Sequence, residues 1–167
     1  MSSKSKNKGK GFEREIANHL SKVFGLNFER VPYSGAFTGG KNIVRAETLT
    51  EEQRLMFDGD ISPPKELGRF TFECKARKEI PFHQLFTSCA EMDSWIEQAQ
   101  MKDKWWFLIF KPNRKGCYIV YDEKIKYDTR HQVMYYKGCT ITSMNDFFED
   151  NKDMLRGQNE IDPSAFL

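Results

Sequence analysis

The sequence has no apolar run of membrane-spanning length, no Cys-x-x-Cys pair and no internal repeat. The first absence removes a transmembrane helix, which needs about 20 consecutive apolar residues. The basic N-terminus leads into an amphipathic segment rather than a signal-peptide core. Cysteines 74, 89, 117 and 139 stand far apart with no histidine partner nearby, which argues against a zinc cage. Two of them fall in strand-like runs, where a small buried thiol is the ordinary reading, and a reducing cytoplasm is the expected compartment. Net charge is also scarce: +2 neither demands nor excludes a polyanionic partner, so the placement of the basic residues matters more than their sum.

What is present suits a folded globular chain. In 167 residues, 30% are charged and 14% aromatic, enough for one ordinary core and no more. Lys4, Lys6, Lys8 and Lys10 alternate with Ser, Asn and Gly, so residues 1–9 read as a flexible basic arm. Asp146, Glu149, Asp150 and Asp153 make the other end acidic, and residues 151–167 read as a loosely held tail. A single domain over 10–150 is expected between them, with 39–58 as an inserted loop or short helix.

Phe12, Ile16, Leu20 and Val23 recur at helical spacing and Gly25 stops the pattern, predicting an amphipathic helix over 11–24. Residues 26–31 read as a short strand closed by Pro32. A Gly-rich loop and a short helix capped by Thr50 follow. Asp60-Ile61 starts another strand, and Pro63-Pro64 with Gly68 marks the turn of a hairpin into RFTFECKA. Residues 82–101 carry a helical pattern in one or two pieces, WWFLIF is a buried strand, and CYIVYD and VMYYKGCTIT are further extended chain. Ser143 is the expected cap of a last short helix. The order is that of a mixed α/β domain, a small sheet flanked by helices.

One strand carries chemistry. Side chains alternate across a strand, so Glu73 and Lys75 leave RFTFECKARKE from one face while Phe72 and Cys74 point to the core. An isolated E-x-K is ordinarily a solvated ion pair worth little. Phosphodiester hydrolysis nonetheless uses such a pair: carboxylates to hold a hard divalent cation and an amine to handle the attacking water. A second acid could come from the preceding strand, where Asp60 competes with Asp58. A third is Glu13, which lies beside the apolar stripe of the first helix, whereas Arg14 points almost directly away from it and Glu15 lies farther off on the other flank.

These pieces together resemble a known family. KGKGFEREIANHL, FERVPYSG, GDI and FECK, in that order, look like the archaeal-type Holliday junction resolvases and their phage-encoded relatives in the PD-(D/E)xK nuclease superfamily. The resemblance covers residues 8–35 and 58–78; the later helix and strands are similar in layout only. It implies a restriction-endonuclease-like core in which Glu13, Asp60, Glu73 and Lys75 are catalytic. Asp60, Glu73 and the Cys74 backbone carbonyl would hold Mg²⁺, for which Mn²⁺ can substitute, with Glu13 joining through water or at a second ion. Arg14 matches an exposed arginine used on DNA, Arg30 the arginine ending the first strand, and Ser34 a serine in the loop beside the site. Lys8, Lys10, Lys41 and Arg77 would add phosphate contacts. The family also implies a branched DNA substrate, a homodimer, and a home in a bacterial, archaeal or phage-infected cell. Gly59 stands where the motif has its proline, and 39–58 exceeds what a minimal resolvase needs.

Other readings compete. GAFTGGKN nearly spells a phosphate-binding loop, but Asn42 replaces the Ser or Thr that Mg²⁺ needs there. A DNA-binding module of the same fold without turnover is the non-enzymatic alternative, and a duplex, flap or single strand are alternative nuclease substrates. His19, His83 and His131 are scattered, Trp95, Trp105 and Trp106 read as core, and Gln98 is either a polar helix position or a neighbour of the metal.

Overall fold

The structure, a computed structural model, describes residues 3–32, 59–100 and 104–157. Helix α1 (Ser3–Phe24) buries Phe12, Ile16, Leu20 and Phe24 along one stripe, as the spacing predicts. It ends where Gly25 takes φ +61°, the left-handed conformation that closes many helices. The helix begins eight residues before the predicted start at 11, so the segment read as an arm is helical from Ser3 onward.

Among the described residues a seven-stranded sheet follows, in the spatial order β1-β2-β3-β4-β5-β7-β6. Strand β1 (Glu29–Arg30) pairs antiparallel with β2 (Ile61–Ser62), which pairs antiparallel with β3 (Phe70–Arg77), the expected hairpin. Strand β3 is parallel to β4 (Trp105–Pro112), in register from Phe70 opposite Trp105 to Arg77 opposite Pro112. That parallel pair needs a crossover, and the predicted helical stretch supplies it: a 3₁₀ turn (Phe82–Phe86) and helix α2 (Ala90–Gln100). Strands β5 (Tyr118–Asp122), β6 (Met134–Tyr136) and β7 (Cys139–Ser143) complete the sheet with antiparallel pairings.

The layers explain why WWFLIF is apolar at every position: β4 is covered on both faces. Trp105, Phe107 and Ile109 pack with α1 and helix α3 (Phe147–Gly157), while Trp106, Leu108 and Phe110 pack with Met92, Trp95 and Ile96 of α2. All three tryptophans are buried, as expected of core residues.

Two expectations change near the C-terminal end. Ser143 closes β7 and its Oγ accepts the Asn145 amide at 3.2 Å, so it shapes the turn rather than capping the helix, which starts at Phe147. Residues 151–157, read as tail, are the body of α3: Asn151 and Leu155 are buried. Arginine side chains tie the helix down, Arg156 donating to the Phe24 carbonyl at the end of α1 and Arg69 to the Leu155 carbonyl. Charges at helix C-termini satisfy carbonyls that have no partner within the helix.

Candidate metal centre

Strand alternation does place Glu73 and Lys75 together, but the face they share is not wet. Helix α2 covers it, and Glu73 is only 2% exposed. Lys75 Nζ lies 3.3 Å from Glu73 Oε2, and Gln98 Nε2 donates to the same oxygen at 3.1 Å. Gln98 thus belongs beside the E-x-K strand, which its position on a polar helix face left open. Its neighbours on α2 at helical spacing, Trp95 and Glu91, meet the next residue on that face of β3. Arg77 Nε donates to Glu91 at 2.5 Å and its guanidinium stacks 5.1 Å from the Trp95 ring centre.

Asp60 is delivered by the β2–β3 hairpin. Its amide donates to the Phe72 carbonyl at 2.8 Å, its carbonyl accepts from Val31 at 2.9 Å, and its Oδ2 accepts the Cys74 amide at 2.9 Å. Backbone and side chain are therefore both held against β3, with the residue 9% exposed. Gly59 permits this. It has φ +83°, and a Cβ there would sit 2.7 Å from the Phe72 carbonyl oxygen. Proline, fixed near φ −65°, cannot take this conformation, which accounts for glycine before the aspartate. The competing Asp58 lies outside the described residues.

Glu13 reaches the site from α1. Its Oε2 is 3.1 Å from Arg30 Nη1 of β1, and both side chains are largely buried. Burial raises the Glu13 carboxyl above its ordinary pKa and the negative charge of Asp60 raises it further, against the opposing pull of Arg30 and Lys75. Glu13, Asp60 and Lys75 thus share one electrostatic neighbourhood. The fully buried Cys74 thiol is pushed well up, by burial first and then by Asp60, Glu13 and Glu73, so it stays a neutral thiol and is no soft ligand.

These residues fit a hard cation. Among the described residues no three His, Cys, Asp or Glu side chains form a ready cage. Mg²⁺ does not require one, since it keeps several waters and takes one or two carboxylates. Two buried acids with a third repelled by one of them is the arrangement such an ion relieves. Asp60, Glu73 and the Cys74 carbonyl are the candidate ligands.

The expected DNA contacts divide. Lys10 and Arg14 are exposed on α1. Lys8 donates to the Arg77 carbonyl at 3.2 Å and to Asn113, bracing the helix against the ends of β3 and β4. Arg30 and Arg77 are each engaged by a carboxylate, Glu13 and Glu91. Ser34 and Lys41 lie outside the described residues, as do the phosphate-loop-like stretch and the inserted segment. No helix among the described residues is long and apolar enough to cross a membrane.

No curated protein matches the chain. The solved structure of Archaeoglobus fulgidus Hjc, a Holliday junction resolvase from an archaeal hyperthermophile, aligns over 87% of this chain and 98% of that one, with 18% identity and a TM-score of 0.41. Residues 4–158 match the family described as "Phage putative PDDEXK endonuclease". With that much of its length matched, the chain belongs to this phage PDDEXK endonuclease family, whose activity is hydrolysis of phosphodiester bonds.

Proposed function

We propose that the protein is a Mg²⁺-dependent, structure-selective DNA endonuclease that resolves four-way junctions. The observation that carries the catalytic part is the buried Glu73 with Lys75 3.3 Å away, on the strand to which the Asp60 side chain is hydrogen-bonded. A bound Mg²⁺ supplies positive charge at the scissile phosphate and lowers the pKa of a coordinated water. Asp60, Glu73 and the Cys74 carbonyl hold it, and Glu13 assists through water or at a second ion. Lys75, its Nζ held 3.3 Å from Glu73, orients the attacking water and, through the lone pair of its free amine form, helps remove that water's proton. Gln98 fixes the Glu73 carboxylate from α2. Lys8, Lys10, Arg14, Arg30, Ser34, Lys41 and Arg77 are the residues assigned to DNA.

Junction selectivity rests on the resemblance of the first helix, first strand and E-x-K strand to resolvases. It carries with it a homodimer, because opposed nicks across a junction need two active sites. The decisive assay is cleavage of matched four-way, flap, single-stranded and linear DNA in Mg²⁺ and in EDTA. Preferential junction cutting in Mg²⁺ is expected, and equal cutting of all forms removes the resolvase assignment. Glu73→Gln and Lys75→Ala should each lose roughly a hundredfold or more in rate while still binding DNA. Wild-type rates in either would overturn the site.

A further inference from the structure

Of the cations nominated from the sequence, Lys10 and Arg14 stay exposed, whereas two others do not stand open. Arg30 and Arg77 are each engaged by a carboxylate, and Lys111 by Glu15. Lys78, just past β3, and Arg114 and Lys115, on the β4–β5 turn, are exposed and have no ion-pair partner among the described residues. All three line one cleft of about 850 Å³, whose single carboxylate among the described residues is Glu79. Its volume suits a nucleotide-sized occupant.

The cleft is built rather than incidental. The Asn113 amide donates to the carbonyls of Arg77 and Lys78 at 3.0 and 3.3 Å, clamping the β4–β5 turn onto the end of β3. Lys8 bonds Asn113 and the Arg77 carbonyl from the other side. Arg114 holds φ +57°, and the Lys115 amide closes the turn onto the Pro112 carbonyl at 3.3 Å. These contacts fix the backbone from which the three cationic side chains extend.

The wall of the cleft is aromatic. Phe82 and Tyr118 are partly buried, with ring centres 5.2 Å apart in an edge-on contact, and Tyr118 stacks on Phe110 at the same distance. Both rings also line a second depression of about 470 Å³ toward β6 and β7, so the groove continues past them. A cationic rim beside aromatic faces is the chemistry that recognises unpaired DNA, whose exposed bases can stack. Duplex DNA hides those faces and would gain only from the rim.

Position agrees. Phe82 and Tyr118 pack onto the α2-side core, the side of the sheet on which Glu73 meets Gln98. Lys78 is three residues beyond Lys75, roughly 10 Å along an extended strand.

We propose that this cleft binds an unpaired single-stranded DNA segment adjoining the scissile phosphate, with Lys78, Arg114 and Lys115 on its phosphates and Tyr118 and Phe82 against its bases. The proposal rests on the nuclease reading, because it seats the strand relative to Lys75. It is tested by binding of a short single-stranded oligonucleotide and of the matching duplex, in EDTA, across a range of salt. The triple variant Lys78→Gln, Arg114→Asn, Lys115→Gln removes the charges, and Asn tolerates the left-handed backbone at 114. It should bind the single strand roughly tenfold or more weakly and lower the log–log salt slope by about 2. Tyr118→Leu should lose roughly tenfold on the single strand and little on the duplex. Wild-type affinity in the triple variant, whose sites are all exposed, overturns the proposal. So does a folded Tyr118→Leu protein that loses nothing on the single strand. Because no metal or turnover is involved, failure of Glu73 or Lys75 as catalytic residues would leave these binding results unchanged.

Discussion

Gly59 lies so close to the Phe72 carbonyl oxygen that a Cβ on it would stand 2.7 Å away, while the next amide, that of Asp60, donates to that same oxygen at 2.8 Å. The position of the acid is therefore set by the absence of a side chain before it. The expected metal ligand and its glycine act as one unit.

Gly59→Ala should displace Asp60 and strain the turn, at a cost of about 1–3 kcal/mol. Gly59→Pro, which restores the usual residue of the motif, should be worse, since proline cannot adopt φ +83°. Calcium binding by calorimetry and the Mg²⁺ dependence of cleavage should both weaken. Unchanged metal affinity in a folded Gly59→Ala protein would separate Asp60 from the metal.

Gln98→Leu should leave Glu73 Oε2 without its amide donor in a nearly closed environment. The expected loss is about 1–3 kcal/mol of stability and, if Glu73 holds the metal, roughly tenfold or more in rate. Denaturant melts and single-turnover cleavage check the two separately.

Asp93 anchors the start of α2 to the β6–β7 turn. Its carboxylate accepts from Lys137 Nζ at 2.6 Å and from the Tyr136 hydroxyl at 2.6 Å, and these bonds, that of Lys137 foremost, lower its pKa below the ordinary 3.8. A depressed carboxylate contributes stability that is fully present above 3.8 and is lost as pH falls through the lowered value. Asp93→Asn should therefore lower the melting temperature at neutral pH and flatten the acid limb of the stability profile below 3.8. Thermal melts from neutral to acidic pH measure both.

Leu155→Ala should cost about 2–5 kcal/mol, since Leu155 is 1% exposed in the α1–α3 core. Arg156→Ala, which uncaps α1 at Phe24, should cost about 1 kcal/mol. A Leu155→Ala protein as stable as wild type would restore the reading of 151–157 as a loose tail.

The E-x-K strand, the hairpin before it and the acid on the first helix were legible because each depends on local periodicity. A period of two puts Glu73 with Lys75, and a helical wheel puts Glu13 at the margin of the buried stripe. Helix ends were less legible. α1 continues to Ser3 through residues with no apolar signal, and α3 continues past 150 because Asn151 and Leu155 are buried by distant partners.

By itself, the sequence determined the element types and the mixed α/β class and nominated a candidate set of side chains for phosphodiester chemistry, since spacing along the chain carries the local pattern. Only the tertiary structure decided that the Glu73 face is covered, because that depends on α2 crossing over it with Gln98 at the correct turn. It also decided which cations are already neutralised and which remain open. Arg30 finds Glu13 and Arg77 finds Glu91 across separations of 17 and 14 residues. Charge pairing at such distances leaves no periodic trace, whereas the turn carrying Arg114 and Lys115 reads in one dimension as no more than a connection.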